Sequence, residues 1–195
     1  MTNQGEKYDL IATGFSDMRD SFATEKNYLD IFVDHLKPYS HILDVGCGSG
    51  YPIASYLIEK GFEVTGVDAS KELLKIATKR SPGMKQLYGD IRTISIKDKY
   101  DGIIEWWCLF HLPREDQLKM ISRFSHWLKP GGILEFSTGN SHYEGSSSAM
   151  LNQELYYYSC DPSLYEKALN DNGFILLLRE SDQDQHLVWI AKKKD

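Results

Sequence analysis

A chain of 195 residues, 42% apolar and 26% charged, has the length and balance of one globular domain able to bury its own core. Its net charge of -6 argues against a nucleic-acid partner, because phosphate binding needs clustered Lys and Arg, and the run Lys192 to Lys194 is too short to supply them. No stretch approaches the ~20 apolar residues of a membrane span, the start lacks an apolar leader core, and Cys47, Cys108 and Cys160 stand too far apart for a disulfide framework or a zinc knuckle, so a soluble cytoplasmic protein with no membrane partner and no metal site is expected.

Residues 1–37 read as an N-terminal helical cap, with a short helix over Tyr8 to Thr13 and an amphipathic one over Ala23 to Leu36, stopped by Pro38. "HILDV" is a short buried strand and Pro52 to Lys60 a helix, with Pro52 in its first turn and Gly61 at its end. "FEVTGVD" is a second strand, Lys71 to Lys79 a helix, "MKQLY" a third strand and "YDGIIEW" a fourth. "PREDQLKMISRFSHWL" gives a helix closed by "KPGG", and "ILEFST" a fifth strand. Residues 138–153 are polar with Gly and Ser and read as a loop over the site. Pro162 to Asn170 is a last helix, and "FILLLRES" and "HLVWIAKK" close the chain as an antiparallel pair. Strands alternating with helices imply an α/β domain whose mostly parallel sheet is covered on both faces, undivided over residues 1–195.

The chemistry concentrates in "ILDVGCGSGYPIASYLIEKGFEVTGVDAS", Ile42 to Ser70. Gly46, Gly48 and Gly50 between a strand and a helix let the backbone turn tightly and approach a ligand beyond the strand ends. Asp68 ends the next strand, about 20 residues further on, where a carboxylate can accept from both hydroxyls of a ribose. A nucleoside is therefore the expected ligand. A dinucleotide fingerprint counted from Gly46 would need glycine where Tyr51 stands, and no G-K-[ST] follows to make a phosphate loop.

"LDVGCGSG", "VD" after the second strand, "GD" after the third and "LKPGG" before the fifth together resemble the class I S-adenosylmethionine-dependent methyltransferases, in order from about Tyr8 to Lys193. "YLDIF", "GYPIASYLIEKGFEVTGVDAS" and "DPSLYEKAL" resemble a small bacterial subgroup presumed to methylate small molecules. The resemblance implies a Rossmann-like, doubly wound, seven-stranded sheet in the order 3-2-1-4-5-7-6, with one antiparallel strand. It also implies site roles. Asp44 and the backbone of Gly46, Gly48 and Gly50 would face the methionine part of S-adenosylmethionine, Asp68 the ribose, and Ala69 the adenine. Asp90 would accept from the adenine amino group, Ile91 would cover the ring, and Trp106 would sit near the sulfonium. Arg19 would pair with the cofactor carboxylate, a contact suited to a guanidinium.

His111, at the mouth of the fourth strand, is the candidate acid–base residue, although "FHLP" equally suits a packed histidine. Trp107 stands where related sequences carry an acid, so acceptor chemistry cannot be carried over to it. The Tyr156 to Tyr158 run reads either as an aromatic pocket wall or as the alternating faces of a short strand. The chain lacks the D/N-P-P-Y/F motif of DNA amino-methylation and a Pro-Cys pyrimidine nucleophile, so a small-molecule acceptor is the expected partner, with a non-catalytic S-adenosylmethionine-binding or interaction protein and a protein or peptide methyltransferase as the alternatives. Neither the acceptor's identity nor the oligomeric state can be read from the residues.

Overall fold

The apolar runs and amphipathic stretches alternate as strands and helices in a computed structural model that describes residues 4–195. Residues 1–3 of the N-terminal segment lie outside the described residues. In chain order, α1 (Gln4–Met18) and α2 (Lys26–Asp34) precede β1 (His41–Val45), α3 (Ile53–Glu59), β2 (Glu63–Asp68), α4 (Lys71–Arg80) and β3 (Lys85–Tyr88). Then come β4 (Tyr100–Glu105), a 3-10 turn (Leu109–His111), α5 (Arg114–Trp127) and β5 (Leu128–Thr138). β6 (Tyr143–Ser147) and β7 (Leu155–Ser159) pair as a separate ribbon, followed by α6 (Pro162–Asp171), β8 (Phe174–Ser181) and β9 (Leu187–Lys193).

The seven-stranded sheet has the order β3-β2-β1-β4-β5-β9-β8, and β9 alone runs against the direction of the other six strands. With β9 and β8 counted as strands seven and six, this is the expected order. Residues adjacent in a strand point to opposite faces, so Leu43, Ile103 and Leu134 enter one core, and Ile42, Ile104 and Ile133 the other. Met120, Ile121, Phe124 and Trp127 bring the helical stripe of α5 to the first core, while Leu29 and Phe32 bring that of α2 to the second. Trp189 anchors the antiparallel strand, stacked on Phe136 at 5.7 Å and donating from Nε1 to Thr138 Oγ1 at 2.9 Å.

Connections after β1 and β4 leave in opposite directions, which opens a crevice at their carboxyl ends. The register pairs Val45 with Val67 and with Glu105, so Asp44, Asp68 and Glu105 all reach this edge.

Several boundaries differ from the sequence expectation. α1 extends beyond Tyr8 to Thr13 because polar tertiary contacts, invisible to apolar periodicity, hold its added turns. Gln4 Nε2 donates to the Tyr156 carbonyl at 3.1 Å, and Arg80 donates to the Ser16 carbonyl at 2.7 Å. α2 starts at Lys26 rather than Ala23, since the Glu25 carboxylate turns back to accept from the Ala23 N–H at 2.9 Å and from Arg19. β5 starts at Leu128, ahead of the glycines. Within 138–153 lies β6, whose partly or fully exposed residues need no apolar alternation. Among the described residues no helix is long and apolar enough to cross a membrane.

Candidate active site

Gly46, Gly48 and Gly50 all take left-handed φ values, +74°, +53° and +72°, which explains glycine at each. Their surroundings separate them. A Cβ on Gly46 would lie 2.5 Å from the Cys108 Cβ, and one on Gly50 2.8 Å from Ser81 Oγ. A Cβ on Gly48 would meet nothing nearer than the Phe15 ring at 3.7 Å. Gly46 and Gly48 line a cavity, whereas Gly50 packs against the end of α4. Asp68 braces the loop: Oδ2 accepts from the Gly48 N–H at 2.8 Å and Oδ1 from the Ser70 N–H at 2.7 Å. A carboxylate has about four acceptor sites, so Asp68 retains capacity for ribose hydroxyls.

The cavity has a volume of about 370 Å³ and runs from this loop to the far side of α1. Its floor is acidic. Burial, then Asp68 and Glu105, pushes the Asp44 carboxyl up to about 8. Burial also lifts Glu105 to about 7 against the N–H groups of Leu109, Cys108 and Ser137, which its oxygens accept at 2.7, 2.6 and 3.2 Å. Asp68 is likewise raised by burial, against the backbone donors of Ser70 and Gly48. Adjacent buried carboxylates of this kind are relieved by a cation, and S-adenosylmethionine brings a sulfonium and an ammonium. The donor set therefore fits that cofactor.

A proton count follows. Bound positive charge would lower Asp44 from about 8, so binding below that pH releases a proton and affinity rises as pH rises. We expect titrations of S-adenosylmethionine without acceptor to show affinity climbing, by at most about tenfold per unit, up to pH ~8 and then levelling. Asp44→Asn should flatten this profile. An equally steep profile in the variant would assign the proton elsewhere.

The remaining expected cofactor residues also border the cavity: Ala69, Asp90, Ile91, Trp106 and Arg19. Asp90 already accepts from Arg92 Nε at 3.0 Å and from its backbone N–H at 2.8 Å, and Arg92 holds it below the usual carboxylate range despite burial. An adenine amino group would be an additional donor to it. Arg19 is ion-paired with buried Glu25 and stacks on Trp107 at 5.0 Å, so any cofactor carboxylate would use its remaining N–H groups. Trp106 is buried, with its Nε1 lacking a hydrogen-bond partner.

His111 is enclosed rather than poised. Nδ1 donates to the Tyr156 carbonyl at 2.9 Å, which leaves Nε2 to accept from the Tyr8 hydroxyl at 2.9 Å. Burial lowers the imidazole to about 4. It is therefore neutral near pH 7, and its lone pair is engaged with α1.

Sequence reasoning missed Tyr8, Phe110, Asp184 and His186, all on the cavity wall. Tyr8 lies inside a predicted helix with no motif around it, Asp184 in the turn of a predicted hairpin and His186 at the start of its second strand. Asp182, Asp184 and His186 bring ligand-type atoms within 4.8 Å of one another. The Asp182 oxygens are spent on the Asp184 and His186 N–H groups, at 2.9 and 2.8 Å, and on Thr24 Oγ1 at 3.1 Å.

Known proteins agree with this geometry. Residues 42–132 match the family model described as a methyltransferase domain. Phosphoethanolamine N-methyltransferase 1 of Zea mays is 29% identical over 194 residues, covering 95% of this chain and 36% of that protein. This chain thus spans about a third of that relative's length. A crystal structure of an S-adenosylmethionine-dependent methyltransferase from Clostridium acetobutylicum superposes with a TM-score of 0.74 at 17% identity, covering 94% of this chain and 99% of that one. The 1,6-didemethyltoxoflavin-N1-methyltransferase of Burkholderia thailandensis, solved with its acceptor and S-adenosylhomocysteine, gives 0.73 at 20% identity, covering 100% and 92%. The structural likenesses establish the fold, and residues 42–132, which carry the glycine loop and the following strands, match the methyltransferase-domain family model.

Proposed function

We propose that the protein transfers the methyl group of S-adenosylmethionine to a small-molecule acceptor enclosed beneath α1. The observation that carries this reading is one cavity reaching from the glycine loop and Asp68 to the aromatic wall of Trp107, Phe110 and Tyr157. Its enclosed volume suits a cofactor and a small partner rather than a polymer.

The cofactor supplies an activated methyl group on a sulfonium. The chain supplies position. Asp68 and the Gly48 backbone hold the ribose end, Asp44 balances the cationic end, and α1 with the β6–β7 ribbon keeps water out. Alignment of this kind can contribute roughly 7–11 kcal/mol in well-oriented cases, so a strong base is not required. His111 fits this scheme as a positioning residue, holding the Tyr8 hydroxyl and thereby α1 over the site.

Three results are expected. Protein given methyl-labelled S-adenosylmethionine and a cell extract should place label in the small-molecule fraction, while label on macromolecules would overturn the acceptor class. Tyr8→Phe, which removes one hydrogen bond of about 1 kcal/mol, should slow labelling about fivefold without abolishing it. The His111-dependent part of the rate should be flat from pH 5 to 8, since the imidazole titrates near 4. A rise through pH 6–7 that His111→Gln abolished would restore it as a base.

A further inference from the structure

The cavity wall opposite the glycine loop is built of rings in sequence. Trp107 lies 5.9 Å from His186, His186 stacks on Phe110 at 6.4 Å, and Phe110 lies 5.5 Å from Tyr157. Trp107 lies two residues past Glu105, the buried end of β4, and adopts φ +60°, a left-handed backbone that residues with side chains seldom take and that clusters at functional sites. Its N–H is fixed on Ser137 Oγ at 2.9 Å. This indole already receives a cation on its ring, the Arg19 guanidinium. Asp184 lies on the wall itself, and the buried Asp182 carboxylate stands 3.5 Å from His186 Nδ1.

Charge on the wall decides which partner fits. Among the described residues its arginines are Arg19 and Arg92, and both are engaged, with Glu25 in one case and with Asp90 and Asp116 in the other. An anionic acceptor would have to compete for these arginines beside Asp184. A cationic one finds aromatic rings and the Asp184 carboxylate in one lining, the pairing of groups that recognises ammonium ions. Resting on the proposed methyl transfer, we infer that the acceptor is a small organic amine, held as its ammonium among Trp107, His186, Phe110 and Tyr157 and methylated on nitrogen.

The step balances. The ammonium sheds one proton to solvent, and the nitrogen lone pair forms the new N–C bond. The C–S bond breaks with its electron pair remaining on sulfur, giving a neutral thioether and a methylated ammonium, which later loses its own proton. No oxidant, reductant or metal takes part.

The test is calorimetric titration of the full chain saturated with S-adenosylhomocysteine, using three probes of similar shape. Choline is cationic, 3,3-dimethyl-1-butanol is neutral and 3,3-dimethylbutanoate is anionic. Choline should bind at least about tenfold more tightly than the alcohol, and the acid should bind weakest. Trp107→Leu should erase that preference while S-adenosylhomocysteine still binds, Trp107→Phe should keep most of it, and Asp184→Asn should weaken choline about threefold. Equal or tighter binding of the alcohol or the acid, or no choline binding to the saturated protein, would overturn the amine inference alone. Failure of S-adenosylhomocysteine to bind at all would instead overturn the reading of the site on which it rests.

Discussion

Asp68→Ala should lower the affinity for S-adenosylhomocysteine at least about 100-fold and remove labelling activity in proportion. The carboxylate serves two sides at once. Toward the protein it accepts from the Gly48 and Ser70 N–H groups at 2.8 and 2.7 Å, which ties the glycine loop to the start of α4. Toward the cavity, which it lines, it is the acceptor for ribose hydroxyls in the proposed reading. Hydrogen bonds to a charged group contribute about 1.5–3 kcal/mol each, so losing two toward the ligand exceeds the ~2.7 kcal/mol that a 100-fold change represents. Asp68→Asn, which keeps one oxygen acceptor, should fall between wild type and Ala. Calorimetry with a thermal melt of each variant separates the two sides, and unchanged affinity in a folded Asp68→Ala protein would remove Asp68 from the ligand.

Gly46→Ala and Gly48→Ala should fail in different ways, although both sit in one motif. The Gly46 methyl would enter the space of Cys108, 2.5 Å from its Cβ and 2.7 Å from its Sγ, on a backbone at φ +74°. Overpacking of about 1–3 kcal/mol added to about 1–2 kcal/mol for the left-handed backbone predicts a loss of roughly 2–5 kcal/mol. For a chain of this size that lowers the melting temperature by about 5–15 °C. The Gly48 methyl has room, the nearest atoms being on Phe15 at 3.7 Å and Leu73 at 3.9 Å, so only the backbone cost of about 1–2 kcal/mol applies. Because Phe15 and Leu73 line the cavity, Gly48→Ala should show mainly as weakened cofactor binding. Equal melting temperatures for the two variants would refute this division.

The sequence by itself determined the strand–helix alternation, the parallel sheet with its antiparallel closure, and the convergence of Asp44, the glycine loop and Asp68 at the strand ends. These features are local. A glycine at positive φ, a strand that ends on an acid and a helix with an apolar stripe are each dictated by neighbours a few residues away. What only the tertiary structure decided depends on residues distant in sequence. Whether His111 is a base or a packed residue turns on Tyr8 and Tyr156, each brought to it from another element at 2.9 Å. The length of α1 depends on Gln4 meeting Tyr156 and on Arg80 meeting Ser16. Gly50 reads in sequence like Gly46 and Gly48, yet its contact with Ser81 turns it away from the cavity. The acceptor wall joins Trp107 and Phe110 after β4 to Tyr157 of the ribbon and His186 of the last hairpin. No periodicity connects these four rings. Burial, pKa and pocket composition are set by such long-range packing, which a one-dimensional pattern does not encode.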